Sequence, residues 1–390
     1  MTALPALRSE PPPGGQDRLR HIGHARQAVL YDKGRQLPAA PGVDGWIEQS
    51  WLRCLASGHR PEHAPTFNRI AVPELRHTLE ANRLLVQAAR PVLGKLGRAI
   101  ADTRYFAILT NAHGVVVDVD GAIDRSNRHA DLITRIGTDL SETRLATTAI
   151  SAALTELQPV WLHRGEHFFE ANAVYSCAGA PLFGPDGACV GMLDLTGIEA
   201  LERPELKHLV AQSARSIENA LTLSRPHALL LRLNWPGHAL GGEADGLVGM
   251  DDDGFVTGAN QTARQMVPQL AQASQTPLHC SDLFAMAFET LFDAARCQRT
   301  TYGSYASALE VPLWTGLRLT ALPVLAGQSP LPARRSLNAP AALQQPLKDI
   351  EAALIHKAVL DARGNVMQAA RALGISRATV YRRLGTSVKR

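Results

Sequence analysis

"YFAILTNAHGVVVDVD", residues 105–120, is the stretch on which the fold of the front half turns. Two runs rich in β-branched, aliphatic and aromatic residues flank the turn-forming sequence Asn111-Ala112-His113-Gly114. Gly114 supplies the backbone freedom of a tight connection, so the segment predicts an antiparallel hairpin. Working outward, "TRLATTAISAALTE" (143–156) reads as a helix. "PVWLH" (159–163), "YSCAGAPLF" (175–183) and "ACVGMLDLTG" (188–197) read as three further strands, the last two joined by the turn "GPDG". "ELKHLVAQSARSIENALTLSR" (205–225) closes the unit as a long helix. Hairpin, helix, three strands and closing helix predict an α+β sensor-type domain over residues 88–225. Upstream, residues 20–87 read as a helical segment and residues 1–19 as a disordered leader.

A second α+β unit is expected over residues 240–325. "GLVGM" (246–250) and "FVTGAN" (255–260) flank the acidic turn "DDDG", and "QTARQMVPQL" (261–270) follows as a helix. A helix over "DLFAMAFETLFDAAR" (282–296) then leads to strand-like "YASALEV" and "LRLTALPV". Residues 326–346, "AGQSPLPARRSLNAPAALQQP", lack periodicity and read as a flexible linker.

The end of the chain carries the most specific pattern. Leu347, Ile350, Leu354 and Ala358 share one face of a predicted helix, and Val366, Ala369, Ala370 and Leu373 share one face of a second. Gly374 permits a tight turn, Ile375 fills the gap, and Ser376 is placed to cap a third helix in which Val380 and Leu384 face inward. The spacing predicts an all-α helix-turn-helix over residues 347–390, with the last helix in a major groove. Ser376, Arg377, Thr379, Tyr381, Arg382 and Arg383 are its candidate DNA-binding residues. Arg377 suits a bidentate contact to guanine, while Arg382 and Arg383 suit phosphates.

Charge placement agrees with that assignment. The chain has a net charge of +4, whereas residues 347–390 hold nine Lys/Arg and three Asp/Glu. That local balance of +6 leaves −2 for the rest, the distribution of a basic nucleic-acid-binding end on a near-neutral body. The five cysteines form no C-x-x-C pair, so neither a disulfide framework nor a zinc knuckle is indicated. No apolar run is long enough to span a bilayer. A cytoplasmic protein with no membrane partner is expected.

The last 45 or so residues, "GNVMQAARALGISRATVYRRL" above all, resemble the Fis-type helix-turn-helix that ends many bacterial enhancer-binding activators. "SWLRC" (50–54), "GTDLSETRLATTAISAAL" (137–154), "PVWLHRGEHFFEAN" (159–172) and "CAGAPLFGPDGACVGMLDLTG" (177–197) resemble the GAF sensor domain of acetoin and dihydroxyacetone operon activators. Residues 245–325 resemble a PAS-type domain. The resemblance implies a ligand-sensing, sequence-specific transcriptional regulator, not an enzyme, with no cofactor. The implied partners are an operator in double-stranded DNA, a small-molecule effector, a second copy of the chain, and RNA polymerase or another activator. Two departures stand out. Where the family has Gly-Thr-Asn, this chain reads Ala146-Thr147-Thr148. The family's central ATPase has no counterpart, and no G-x-x-x-x-G-K-[ST] loop occurs in the sequence. One rival reading is therefore an accessory protein that hetero-oligomerises with an ATPase-bearing activator and modulates it.

Another rival is a metal-dependent hydrolase. His163, Glu166 and His167 spell H-x-x-E-H, a zinc-peptidase pattern that needs both histidines one turn apart on an unbroken helix. Pro159 opens a strand-like run and Gly165 separates the histidines, so the spacing reads as accidental and no metal is expected. These polar residues either line a sensor pocket or cap the following turn. Cys177 and Cys189 lie in strand-like apolar runs and read as inert core thiols.

Overall fold

The computed structural model describes residues 13–31, 43–272, 277–300, 308–327 and 366–367. Contacts divide the chain into Met1–Leu331 and Pro332–Arg390. Of the second unit only Val366 and Met367 are described, and both are helical. The candidate DNA-binding residues 376–383 lie outside the described residues.

The first unit opens with helix α1 (Pro13–Arg26), which overruns the expected leader of residues 1–19. Proline at its first position costs no hydrogen bond. Ile22 and Ala25, with Leu30 of the turn that follows, bury the helix against the body. Three helices follow: α2 (Gly45–Ala56), α3 (Val72–Ala81) and α4 (Arg83–Ala99).

The expected hairpin forms from β1 (Tyr105–Asn111) and β2 (Val116–Gly121), with Gly114 at φ 79° in the turn. All seven residues of β1 are buried, and period-two alternation splits them between two cores. Tyr105, Ala107 and Leu109 face α4, while Phe106 and Ile108 face the opposite way. On that second face lie α5 (Arg128–Ile133), α6 (Glu142–Leu145) and α7 (Ala149–Glu156). The continuous helix expected over 143–156 is broken, because Ala146 takes φ 54° and ψ −145° before Thr148 caps α7.

The strands β3 (Val160–His163), β4 (Tyr175–Phe183) and β5 (Cys189–Ile198) complete an antiparallel sheet of order β2-β1-β5-β4-β3. Helix α8 (Leu206–Leu223) packs with α4 over the outer face. The sheet is thus covered on both faces, with one apolar core beneath α4 and α8 and the other beneath α5 to α7.

A second antiparallel sheet has the order β8-β7-β6-β10-β9. Its strands are β6 (Leu229–Asn234), β7 (Gly246–Met250), β8 (Val256–Ala259), β9 (Leu309–Pro312) and β10 (Arg318–Leu325). The predicted hairpin across the acidic turn is β7 and β8. Strand β6 has no counterpart in the sequence reading, and it places the start of this sheet upstream of residue 240. It is the central strand, paired with both β7 and β10. The helices here are α9 (Gln261–Met266), α10 (Gln269–Gln272), α11 (Cys280–Leu283) and α12 (Glu289–Thr300). Pro268 removes a backbone donor and splits the first expected helix. Phe284, bridged to Leu313 as a strand residue, splits the second. No described helix is long and apolar enough to cross a membrane.

Candidate functional site

On the α5–α7 side of the first sheet lies a cavity of about 30 Å³, room for about two water molecules. Its walls are mostly apolar, with Ile108, Ile133, Leu140, Leu145 and Ile150 among them. Against that lining stand Asp194, Thr196, Cys177 and Tyr175 from the sheet and His167 from the segment after β3.

Strand geometry places Asp194 there. Leu193 and Leu195 point into the α4–α8 core, so Met192, Asp194 and Thr196 must point to the other face. Asp194 sits in the middle of the sheet, opposite Ile108 on β1 and Gly179 on β4. Gly179 is required here: a Cβ would come within 2.9 Å of the Ala149 carbonyl oxygen, so its absence lets the start of α7 close over the sheet.

Asp194 is 0 % exposed, and no cation among the described residues pairs with it. The Thr196 hydroxyl donates to Oδ2, while Oδ1 is buried without a hydrogen-bond partner among the described residues. Burial penalises the charged form and pushes the carboxyl up to about 7, with the Thr196 hydrogen bond opposing the shift. Cys177 Sγ lies 3.4 Å from Thr196 Oγ1. Burial raises that thiol well above its ordinary value, so it stays protonated and unreactive.

His167 supplies the second polar feature. Its Nδ1 lies 2.9 Å from the Arg164 carbonyl oxygen and therefore carries the hydrogen. Nε2 is left as a buried acceptor without a partner among the described residues. Burial pushes the ring down to about 4, so it is neutral near pH 7. The cavity thus presents an acceptor at His167 and an uncompensated carboxyl at Asp194, and buried polar atoms of that kind normally have partners.

The H-x-x-E-H residues diverge. His163 ends a strand, residues 164–166 form a single 3-10 turn, and His167 is extended. His163 Nδ1 pairs with Ser176 Oγ at 2.8 Å. The Glu166 carboxylate accepts from the His163 backbone N–H at 2.6 Å and from Arg18 at 2.9 Å. Only His167 lines the cavity, so of the two readings left open for this segment, His167 takes the pocket role and Glu166 the capping role. Among the described residues no three His, Cys, Asp or Glu side chains converge as a metal site.

A larger groove of about 550 Å³ lies at the opposite end, lined by His77, His113, Asp186 and Arg225. None of its lining side chains holds a buried polar atom without a partner. The small cavity is the better candidate.

Comparison with known proteins adds the family context. Residues 38–219 match the model of the MimR N-terminal domain, and residues 346–385 match that of the Fis family of bacterial regulatory proteins. The acetoin catabolism regulatory protein of Cupriavidus necator is 31 % identical over 261 residues, covering 64 % of this chain and 38 % of that protein. The acetoin dehydrogenase operon transcriptional activator AcoR of Bacillus subtilis is 28 % identical over 176 residues, 45 % of this chain and 29 % of the relative. The E. coli DhaR(N)–DhaL complex contains a chain of similar structure, with a TM-score of 0.44 and 15 % identity over 72 % of this chain and 99 % of that one. The present chain spans less than two fifths of the length of either curated relative. The residues that line the cavity thus all lie within the part of the chain, 38–219, that matches the MimR N-terminal domain, and the match to the Fis family of bacterial regulatory proteins is confined to 346–385.

Proposed function

We propose that the chain is a transcription regulator in which the cavity of a GAF-like domain (88–225) reads a small uncharged effector. A PAS-like second domain, a linker over 326–346 and a DNA-binding segment over 347–390 complete it. The observation that carries the reading is the pair of orphaned polar atoms, His167 Nε2 and Asp194 Oδ1, of two side chains lining a cavity in a chain with a Fis-family segment. Among the described residues no lysine or arginine lines the cavity, so an anion would be buried without a counter-charge. A molecule with a hydroxyl for His167 and a second polar group for Asp194 matches the polar atoms of the walls, and acetoin, after which two relatives are named, is one such compound.

Operator contacts fall to Ser376, Arg377, Thr379, Tyr381, Arg382 and Arg383. A two-fold homodimer would set its recognition helices about one DNA turn apart. The effector then acts through differential affinity for dimer states, altering operator occupancy or recruitment of polymerase or another activator. With no phosphate-binding loop in the sequence, neither step uses ATP hydrolysis by this chain.

The test is selection of genomic DNA by the purified protein, followed by titration of the recovered operator with and without acetoin and related alcohols and ketones. Arg382→Ala should weaken binding and reduce the salt slope by about one phosphate contact. Unchanged operator binding after removal of residues 347–390 would refute the assignment.

A further inference from the structure

Helix α1 lies outside the matched residues 38–219, yet it grips the segment that carries His167. The Arg26 guanidinium donates to the carbonyls of Gly165 at 2.8 Å, His167 at 2.6 Å and Phe168 at 3.0 Å. Trp51 Nε1 donates to the Glu166 carbonyl at 3.0 Å, and Arg26 stacks over the Trp51 ring. Three of the five carbonyls from residue 164 to 168 therefore depend on one side chain of α1. Arg18 adds ion pairs to Glu166 and Glu202, each at 2.9 Å, and Tyr31 donates to Glu170 at 2.6 Å. Ile22 packs over Gly165, where a Cβ would meet it at 3.1 Å.

The size of the cavity turns this grip into a constraint. A void of about 30 Å³ is small beside a molecule of five or six heavy atoms, so entry is easiest where the wall yields most readily. Sheet residues are fixed by the ladder on both sides and α7 is capped by Thr148 and Ser151, while Phe67, Ile133, Leu140, Leu145 and Asn172 complete the walls from packed segments off the sheet. The 164–168 segment has no ladder and is held mainly by side chains from α1 and α2. It also carries the acceptor, His167 Nε2, that a ligand would engage.

We infer that Arg26 is a positioning residue for the cavity: its hold on residues 165–168 keeps His167 in the closed place, and effector entry and docking of α1 oppose each other. This rests on the cavity being the effector site. Because coupling between two binding events is reciprocal, loosening α1 raises effector affinity by the factor with which effector loosens α1.

Two measurements on the full chain test it. The first needs no ligand: Cys177→Met extends a lining side chain by more than the void can hold. Hydrogen exchange of the α1 amides should then quicken at least tenfold while that of β1 stays at the wild-type rate. Wild-type exchange of α1, or equal acceleration of α1 and β1, overturns the inference. The second uses propane-1,2-diol as probe: Arg26→Ala should bind it at least threefold more tightly than wild type. Equal or weaker binding by the variant overturns the coupling. A probe that binds neither protein counts against the effector reading instead, and the exchange result alone then decides the role of Arg26.

Discussion

Asp194→Asn separates the cost of the buried carboxyl from everything else that titrates. The side chain is fully buried, its Oδ1 lacks a partner, and burial carries its ionisation from 3.8 up to about 7. Between those two values the folded protein holds a proton that the unfolded chain has already released. Raising the pH therefore favours unfolding: stability present below pH 4 is lost as the pH climbs through 7. A carboxyl raised that far stands for about 4 kcal/mol in full, of which roughly 2 to 3 kcal/mol falls between pH 5 and pH 8. Asparagine cannot ionise, keeps an oxygen for the Thr196 hydroxyl, and leaves one polar atom orphaned as the acid does. Near pH 4 the variant should match wild type. Its advantage should then grow with pH, by that amount between pH 5 and pH 8, or roughly 5–10 °C in Tm for a domain of this size. Glu166 and Glu218, both also raised by burial to about 7, titrate in both proteins and cancel in the difference. Urea titrations of both proteins at pH 5 and pH 8 measure it. The same difference at both pH values would mean that Asp194 ionises normally, and the account of the cavity would fail.

Two further stability tests address other parts of the fold. Arg232 pairs with the buried Asp245 at 3.2 Å, and Asn234 and the Gly241 N–H supply the remaining donors. Arg232→Met should cost about 3–5 kcal/mol in chemical denaturation, because it strands a buried carboxylate; a loss below about 1 kcal/mol would show that the two neutral donors suffice. Ala146 holds φ 54° and ψ −145°, a strained setting for an L-residue that costs about 1–3 kcal/mol. In Ala146→Gly that relief offsets a lost methyl, about 0.8 kcal/mol, and the added freedom of glycine, about 0.5–1 kcal/mol. The unfolding midpoint should hold or rise, and a fall of more than about 1 kcal/mol would place the strain elsewhere.

Much of the α+β frame was legible because local pattern and tertiary burial agree there. The β1–β2 hairpin, the β4–β5 hairpin and α8 each announce themselves by periodicity and turn residues. Strand β6 was not legible. "LLLRLN" (229–234) has no turn signal of its own and is buried on both faces as a central strand, so alternation is erased and only pairing reveals it. The first half of helix α1, residues 13–19, escaped for the opposite reason. The helix has few apolar residues, and its anchors are arginines reaching groups 139 to 148 positions away. The breaks at Ala146 and Phe284 are likewise tertiary: one is a strained residue at 0 % exposure, the other a bridge to Leu313.

The site divides along the same line. Asp194 left a signal, a lone acid in "MLDLTG" whose alternation aims it at the face opposite Leu193 and Leu195. The H-x-x-E-H motif misleads in proportion to its locality. Its spacing implies convergence only if the backbone is helical, and one 3-10 turn between a strand and an extended residue sends each side chain to a different partner. His163 meets Ser176, Glu166 meets Arg18, and His167 alone enters the cavity. What five consecutive residues do is thus decided by Trp51 and Arg26, more than a hundred positions upstream, which hold the carbonyls between them. If that hold is what keeps His167 closed over the cavity, the feature that sequence pattern could not reach is also the one through which the site is controlled.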